Sequence, residues 1–139
     1  MKSTDDLKSQ LMQETDLSHF LRENRESFQQ DDIPVLLNEV FQECDMTKSE
    51  LSRRSGVSEP YLHQIFSGRR TPSRDRLLCL CLGLGAPLEK AQRLLKQCGY
   101  APLYEKNRRD AIVLFGLLHG QSVFEVNDAL FQENEKTLL

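Results

Sequence analysis

The chain has 139 residues, of which 39% are hydrophobic, so it can build a folded core and is not an intrinsically disordered polymer. Its formal net charge is −3, and no apolar run approaches the roughly 18–20 residues that a membrane span requires. Because the first residues also lack the apolar stretch of a signal peptide, we expect a cytoplasmic protein without a membrane partner.

The predicted elements of the N-terminal part are helices. Residues 4–13 carry apolar residues behind an acidic start, and Asp16 can cap a second short helix. A third helix should open at Asp31 and Asp32, with Pro34 tolerated in its first turn. Its apolar residues recur at positions i, i+3, i+4, i+7 and i+8, which is typical of a helix with one face toward a core. They are Ile33, Leu36, Leu37, Val40, Phe41 and Cys44.

Two short helices separated by a glycine are predicted next. Thr47 and Glu50 have the spacing of a capping box, so a helix should begin at Thr47 and end at Gly56. Ser58 can cap the following helix, which should end near Gly68. Two short helices joined by a turn of about three residues form a helix-turn-helix, in which Gly56 would adopt the left-handed conformation. An ordinary helical hairpin is the alternative, since it would use the same apolar residues.

The rest of the chain is also predicted to be helical. One helix should follow Thr71-Pro72-Ser73 and run to Gly83, and three more are predicted over residues 87–98, 107–119 and 122–133. We therefore expect an all-α fold with seven to nine helices and no sheet of consequence. The predicted domains are an acidic N-terminal arm (1–30), a helix-turn-helix domain (31–98) and a C-terminal helical hairpin packed on it (99–139).

The charge is distributed unevenly along the chain. Residues 1–46 contain four basic and eleven acidic side chains, whereas residues 77–139 contain seven of each. Residues 47–76, the basic segment, contain seven basic and three acidic side chains, which gives them a net charge of +4. The predicted helix-turn-helix therefore lies in the only basic segment of an acidic chain, which favours a polyanionic partner.

Other candidates for ligand chemistry are weak. The cysteines and histidines lack the spacing of metal ligands, and Cys79 and Cys81 would point in different directions on a helix. We expect reduced thiols in a helical core and no metal or cofactor. Arg108, Arg109 and Asp110 are interpreted as a solvated first turn of a helix, with an anion site as the alternative. No pairing of a nucleophile with a base is evident, so we expect no enzymatic activity.

The basic segment resembles the phage-repressor (lambda repressor-like, Xre/Cro-type) helix-turn-helix family. The matching stretch is "TKSELSRRSGVSEPYLHQIFSGRRTPSRDRLLCL", residues 47–80, preceded by a helix over 33–45, and the resemblance covers about residues 32–95. The tail "KNRRDAIVLFGLLHGQSVFEVNDALF" is similar to tails behind such domains in bacterial proteins of unassigned role. The matching features are Leu51, Gly56-Val57-Ser58, Ile65, Gly68 and Pro72-Ser73.

The resemblance implies that helix 58–67 lies in the major groove of double-stranded DNA. Its base-reading positions would be Glu59, Pro60, His63 and Gln64, where Gln64 suits adenine and Glu59 suits the amino group of cytosine. Phosphate contacts are implied for Thr47, Lys48, Ser58, Tyr61, Arg69 and Arg70. The family usually has glutamine in place of Lys48 and hydrogen-bond donors in place of Glu59 and Pro60.

Two functions follow from this comparison. The first is a sequence-specific DNA-binding transcriptional regulator, in which the flanking helices support a homodimer or receive a signal. The second is a protein-interaction module that retains the fold without binding DNA and uses the N-terminal arm or the C-terminal hairpin to contact a protein partner. The basic segment favours the first function, whereas Glu59, Pro60 and the acidic total favour the second.

The acidic arm gives a testable prediction. If its carboxylates compete with phosphate for Lys48, Arg69 and Arg70, deletion of residues 1–30 should tighten binding to arbitrary DNA, most visibly at low salt. If the arm only contributes apolar residues to the hydrophobic core, its deletion should lower thermal stability without improving DNA affinity. A truncated protein that stays folded and binds DNA no better than the full chain would contradict the masking hypothesis.

Overall fold

The computed structural model describes residues 3–24 and 33–139, and every regular element in these ranges is an α-helix. The nine helices found there confirm the all-α prediction and fall within the expected number. None of these helices is long and apolar enough to cross a lipid bilayer. In chain order they are α1 (Thr4–Gln13), α2 (Leu17–Glu23), α3 (Ile33–Glu43), α4 (Lys48–Ser55), α5 (Glu59–Phe66), α6 (Arg74–Leu84), α7 (Leu88–Gln97), α8 (Arg108–Leu118) and α9 (Val123–Gln132).

The chain divides into two compact units, Met1–Gln30 and Asp31–Leu139. In the first unit α2 is capped as expected, because the Asp16 carboxylate accepts from the backbone N–H of Ser18 at 3.1 Å. The hydrogen bond with His19 lowers the pKa of Glu14 from its ordinary value. The predicted opening of α3 at Asp31 and Asp32 lies outside the described residues.

The core of the second unit is centred on α6. All eight residues from Leu77 to Leu84 are buried, and α6 packs against α4, α7, α8 and α9. A helix that is apolar on every side is stable only when other elements cover it completely. Burial raises the pKa of Cys79 to about 11 and that of Cys81 to about 12, so both thiols are protonated at neutral pH.

A close approach of two backbones fixes α4 against α6. A Cβ placed on Gly83 would lie 2.9 Å from the Cβ of Ser55, which is itself fully buried. This approach joins Ser55 to a glycine of a helix further along the chain, which local sequence spacing cannot reveal.

The interpretation of residues 108–110 as a solvated first turn was wrong for two of the three. Asp110 is buried and pairs with Arg74, whose two terminal nitrogens donate to its two oxygens at 3.0 Å each. Arg109 pairs in the same way with Asp75 at 3.0 and 3.1 Å. Only Arg108, which pairs with an exposed glutamate, Glu133, matches the expectation. The alternative of an anion site is also disfavoured, because these cations already have carboxylate partners.

The segment after α9 returns to the α4–α5 turn. Arg109 donates to the carbonyl oxygens of Lys136 and Thr137, and the buried Leu138 donates its N–H to the Asn127 side chain at 2.7 Å. A Cβ on Gly56 would lie 2.7 Å from a methyl carbon of Leu139. The C-terminal residues therefore pack directly on the turn that separates α4 from α5.

Candidate nucleic-acid interface

The turn between α4 and α5 has the predicted geometry. α4 ends at Gly56, which has φ +73° and donates its N–H to the carbonyl of Ser52 at 2.9 Å. The Ser58 hydroxyl then caps α5 by accepting from the N–H of Tyr61 at 3.4 Å. Gly68, with φ +81°, follows the end of α5. The left-handed glycine and the serine cap confirm two short helices with a sharp turn between them.

Apolar contacts fix the angle between these two helices. Leu51 of α4, Val57 of the turn, and Leu62 and Ile65 of α5 are each exposed by no more than 1%. Because such a packed core has few alternative arrangements, α5 is presented on a rigid support. This rigidity is what a binding site on a helix face requires.

The four predicted base-reading residues lie along the accessible part of α5. Glu59, Pro60 and His63 are exposed, while Gln64 is half-buried. The Gln64 carbonyl accepts from the N–H groups of Arg69 and Arg70 at 2.8 and 3.2 Å. Its side-chain amide forms no hydrogen bond with the described residues, so both the amide oxygen and the amide nitrogen can serve a ligand.

Pro60 contributes shape to this face and no hydrogen bond. It lies in the first turn of α5, where a backbone N–H would have no acceptor within the helix, so the N–H that proline lacks is not missed. The fixed φ of proline also suits the helix. Glu59, at the first helical position, is favoured there by the helix dipole. The groups of α5 able to hydrogen-bond a base are therefore the Glu59 carboxylate, the His63 imidazole and the Gln64 amide.

Aromatic rings position several of the predicted phosphate-binding cations. The Lys48 Nζ lies 5.3 Å from the ring centre of Phe66, at the end of α5. The Arg70 guanidinium lies 4.8 Å from the ring centre of Tyr61. Arg69 is exposed beside them. Attraction between a cation and an aromatic face limits the motion of these long side chains without neutralising their charge.

Thr47 forms only half of the predicted capping box. Its hydroxyl accepts from the N–H of Glu50 at 3.1 Å, as expected for the residue that starts α4. The Glu50 carboxylate, however, accepts from Arg54 at 3.0 Å and lies 3.8 Å from Arg53. Both arginines belong to the basic segment, and this carboxylate partly neutralises them.

Comparison with known protein families is consistent with this geometry. A family model described as a helix-turn-helix domain matches residues 16–94, which is more than half of the chain. The chain belongs to the helix-turn-helix domain family. The match begins earlier than the resemblance noted in the sequence and includes α2. Comparisons with curated proteins and with solved structures gave no match.

The net charge of +4 counted over residues 47–76 overstates the positive charge that the helix-turn-helix region can offer to a ligand. Arg74 belongs to the basic segment in sequence, but Asp110 of α8 neutralises it. Arg76, two residues later, is exposed and its guanidinium lies 5.4 Å from the Tyr61 ring centre. Arg76 was not among the site residues predicted from the sequence, because no periodicity relates it to Tyr61 across the turn between α5 and α6.

Metal binding has no structural support in the described ranges. Nowhere in residues 3–24 and 33–139 do three side chains of His, Cys, Asp or Glu come together as a metal site would require. None of the four cysteines, all of which lie in the described ranges, forms a disulfide, and Cys79 and Cys81 are buried in α6.

Proposed function

We propose that this protein is a sequence-specific DNA-binding transcriptional regulator of phage-repressor type, which reads the major groove with α5. The observation that carries the proposal is the Gln64 amide, which forms no hydrogen bond within residues 3–24 and 33–139 and lies on a rigid helix flanked by Lys48, Arg69 and Arg70. An amide of this kind can bond both the N6 and N7 positions of adenine. The cations would hold the helix in register by contacting phosphates, which carry no sequence information themselves.

The remaining residues have defined roles in this proposal. Glu59 accepts a hydrogen bond from the exocyclic amino group of cytosine, and His63 bonds a base edge on the same face. Pro60 makes only an apolar contact. The phosphate contacts come from Lys48, Arg69 and Arg70 through charge, and from the starts of α4 and α5 at Thr47 and Ser58 through backbone N–H groups. The protein acts without a cofactor and without catalysis, on DNA in the cytoplasm.

Replacement of Gln64 tests base reading. A preferred duplex is first selected from a randomised library with the wild-type protein. Gln64→Ala should then cost about 1–3 kcal/mol of binding free energy on that duplex and relax the preference at one base pair. Affinity for random duplexes should change little, because they do not supply the matching adenine. Fluorescence anisotropy with labelled duplexes measures both affinities.

Arg70→Ala is the matched control for this experiment. It should weaken binding to the preferred and random duplexes alike. The negative slope of log affinity against log salt should become less steep by about one. Equal losses on specific and random DNA for both Gln64→Ala and Arg70→Ala would show that α5 does not read bases through Gln64.

One observation favours the alternative function of a protein-interaction module. The α8–α9 hairpin exposes four large apolar side chains, namely Phe115, Leu118, Phe124 and Phe131. Exposed groups of this kind, when contiguous, are typical of surfaces that contact another protein, either a second copy in a homodimer or a different partner. A comparison of the affinities for the selected and the random duplex decides between the two functions, since a module that had lost its groove contacts would show no preference between them.

A further inference from the structure

The arginines of residues 33–139 fall into two groups. Five of them lie within 4.0 Å of a carboxylate: Arg53, Arg54, Arg74, Arg108 and Arg109. Four form no ion pair with any described residue: Arg69, Arg70, Arg76 and Arg93. Two members of the second group, Arg70 and Arg76, lie over the same aromatic ring, that of Tyr61.

The three side chains are held by different parts of the fold. Tyr61 belongs to α5 and is half-buried against the core. Arg70 follows α5, and its backbone N–H is bonded to the carbonyl of Gln64 at 3.2 Å. Arg76 lies in the first turn of α6, with its N–H bonded to the Ser73 hydroxyl at 3.2 Å. The ring is therefore approached by two cations that are anchored separately.

The distance between the two guanidinium groups has an upper limit, because both lie near the same ring. Their central carbons lie 4.8 and 5.4 Å from the ring centre of Tyr61, so they can be no further apart than about twice the larger distance. Two like charges at this separation repel each other, and the ring offsets only part of that repulsion. An anion that contacts both would remove the repulsion, and a phosphate group offers several oxygens to the rigid donor forks of two arginines.

We propose that Tyr61 is a positioning residue that orients Arg70 and Arg76 as a two-armed clamp on the phosphodiester backbone of double-stranded DNA. This inference rests on the proposed function and adds to it a phosphate contact from α6. Tyr61 acts through its ring, by directing the two cations toward one stretch of backbone beside α5. Arg76 thereby extends the protein's contact with DNA beyond the helix pair α4–α5.

The clamp can be tested in the full chain with four variants. Arg76→Gln removes one arm, and Arg93→Gln is the matched control, an exposed arginine of α7 that also lacks an ion pair. Tyr61→Leu removes the ring while keeping an apolar side chain, and Tyr61→Phe keeps the ring. Each variant is titrated with a random-sequence duplex over a range of salt concentrations, and thermal melting verifies that it is folded.

The plot of log affinity against log salt has a negative slope. Arg76→Gln should make this slope less steep by about one, whereas Arg93→Gln should leave it unchanged. Tyr61→Leu should weaken binding about two- to tenfold, because both cations lose the ring that orients them. In the free protein, the NMR signals of the Arg70 and Arg76 Nε–H groups should shift on loss of the ring. Tyr61→Phe should retain both the affinity and these signals, whereas a purely packing role for Tyr61 predicts that Tyr61→Leu leaves the Nε–H signals of Arg70 and Arg76 unchanged.

The outcomes separate the clamp from the proposed function. If the wild type binds duplex DNA but Arg76→Gln behaves like Arg93→Gln, the clamp is wrong and DNA binding stands. If the wild type binds no duplex at low salt, the proposed function is wrong, and the clamp, which depends on it, is wrong as well. If inorganic phosphate perturbs the Arg70 and Arg76 signals at the same concentration as the duplex, the site selects a free anion and the assignment to the DNA backbone is overturned.

Discussion

Replacement of Asp110 by alanine should lower the free energy of unfolding by about 3–5 kcal/mol, the usual loss when one partner of a buried ion pair is removed. The Asp110 side chain is only 9% exposed and accepts two hydrogen bonds from Arg74 and one from the backbone N–H of Tyr104 at 3.0 Å. Without the carboxylate, this N–H loses its acceptor, and the largely buried guanidinium keeps only the carbonyl oxygens of Ala101 and Pro102, which do not neutralise its charge. Urea denaturation followed by circular dichroism measures the change.

Two further variants make this result specific. Glu133→Ala removes the carboxylate partner of Arg108, but both side chains of that pair are more than half exposed, so it should cost less than about 1 kcal/mol. The double variant Arg74→Met with Asp110→Leu should be more stable than Asp110→Ala, since it leaves no unpaired charge in the interior. Similar losses for Asp110→Ala and Glu133→Ala would show that the Arg74–Asp110 pair contributes no more than a surface pair.

Replacement of Gly83 by leucine should destabilise the protein by about 3 kcal/mol, at the upper end of the range for overpacked cores. Beyond the 2.9 Å contact with the Ser55 Cβ, a Cβ here would lie 3.1 Å from the Ser55 Cα and N, which are backbone atoms that cannot move aside alone. Leucine is a better helix former than glycine, so helix propensity works against the expected loss. The same denaturation experiment measures it.

Lys96→Leu is the matched control for Gly83→Leu. Lys96 is an exposed residue near the end of α7, where a leucine meets no backbone. Its effect should stay within about 0.5 kcal/mol, as for most surface substitutions. If Gly83→Leu unfolds at the same urea concentration as the wild type, α4 can move away from α6 at no cost and the close packing of these helices does not fix the position of α5.

The features that could be predicted from the sequence are those that neighbouring residues determine. Gly56 ends α4 because a left-handed residue is needed there, and Ser58 starts α5 because its hydroxyl reaches an N–H three residues ahead. Both are local rules, so the helix pair and its turn were predicted correctly. Ser122 and Glu125 follow a local rule of the same kind, since they form a complete capping box at the start of α9.

The features that were missed join distant parts of the chain. Nothing near Arg74 in sequence indicates that Asp110 neutralises it, and nothing near Tyr61 indicates that Arg76 shares its ring with Arg70. A count of charges in a sequence window treats all cations as equally available. The fold decides which of them remain unpaired. Three arginines after α5, namely Arg69, Arg70 and Arg76, form no ion pair with a described residue, whereas Arg53, Arg54 and Arg74 pair with Glu50 or Asp110.

The apolar helix α6 has a consequence for how this protein could have changed over time. One part of the α6 surface packs against α4, and another part packs against α8 and α9. A lineage that lost the α8–α9 hairpin would at the same time have had to acquire polar residues on the part of α6 that α8 and α9 cover, since apolar residues there would otherwise be exposed to water. The helix-turn-helix and the hairpin of this chain share one hydrophobic core, so neither is a module that can be exchanged independently of the other.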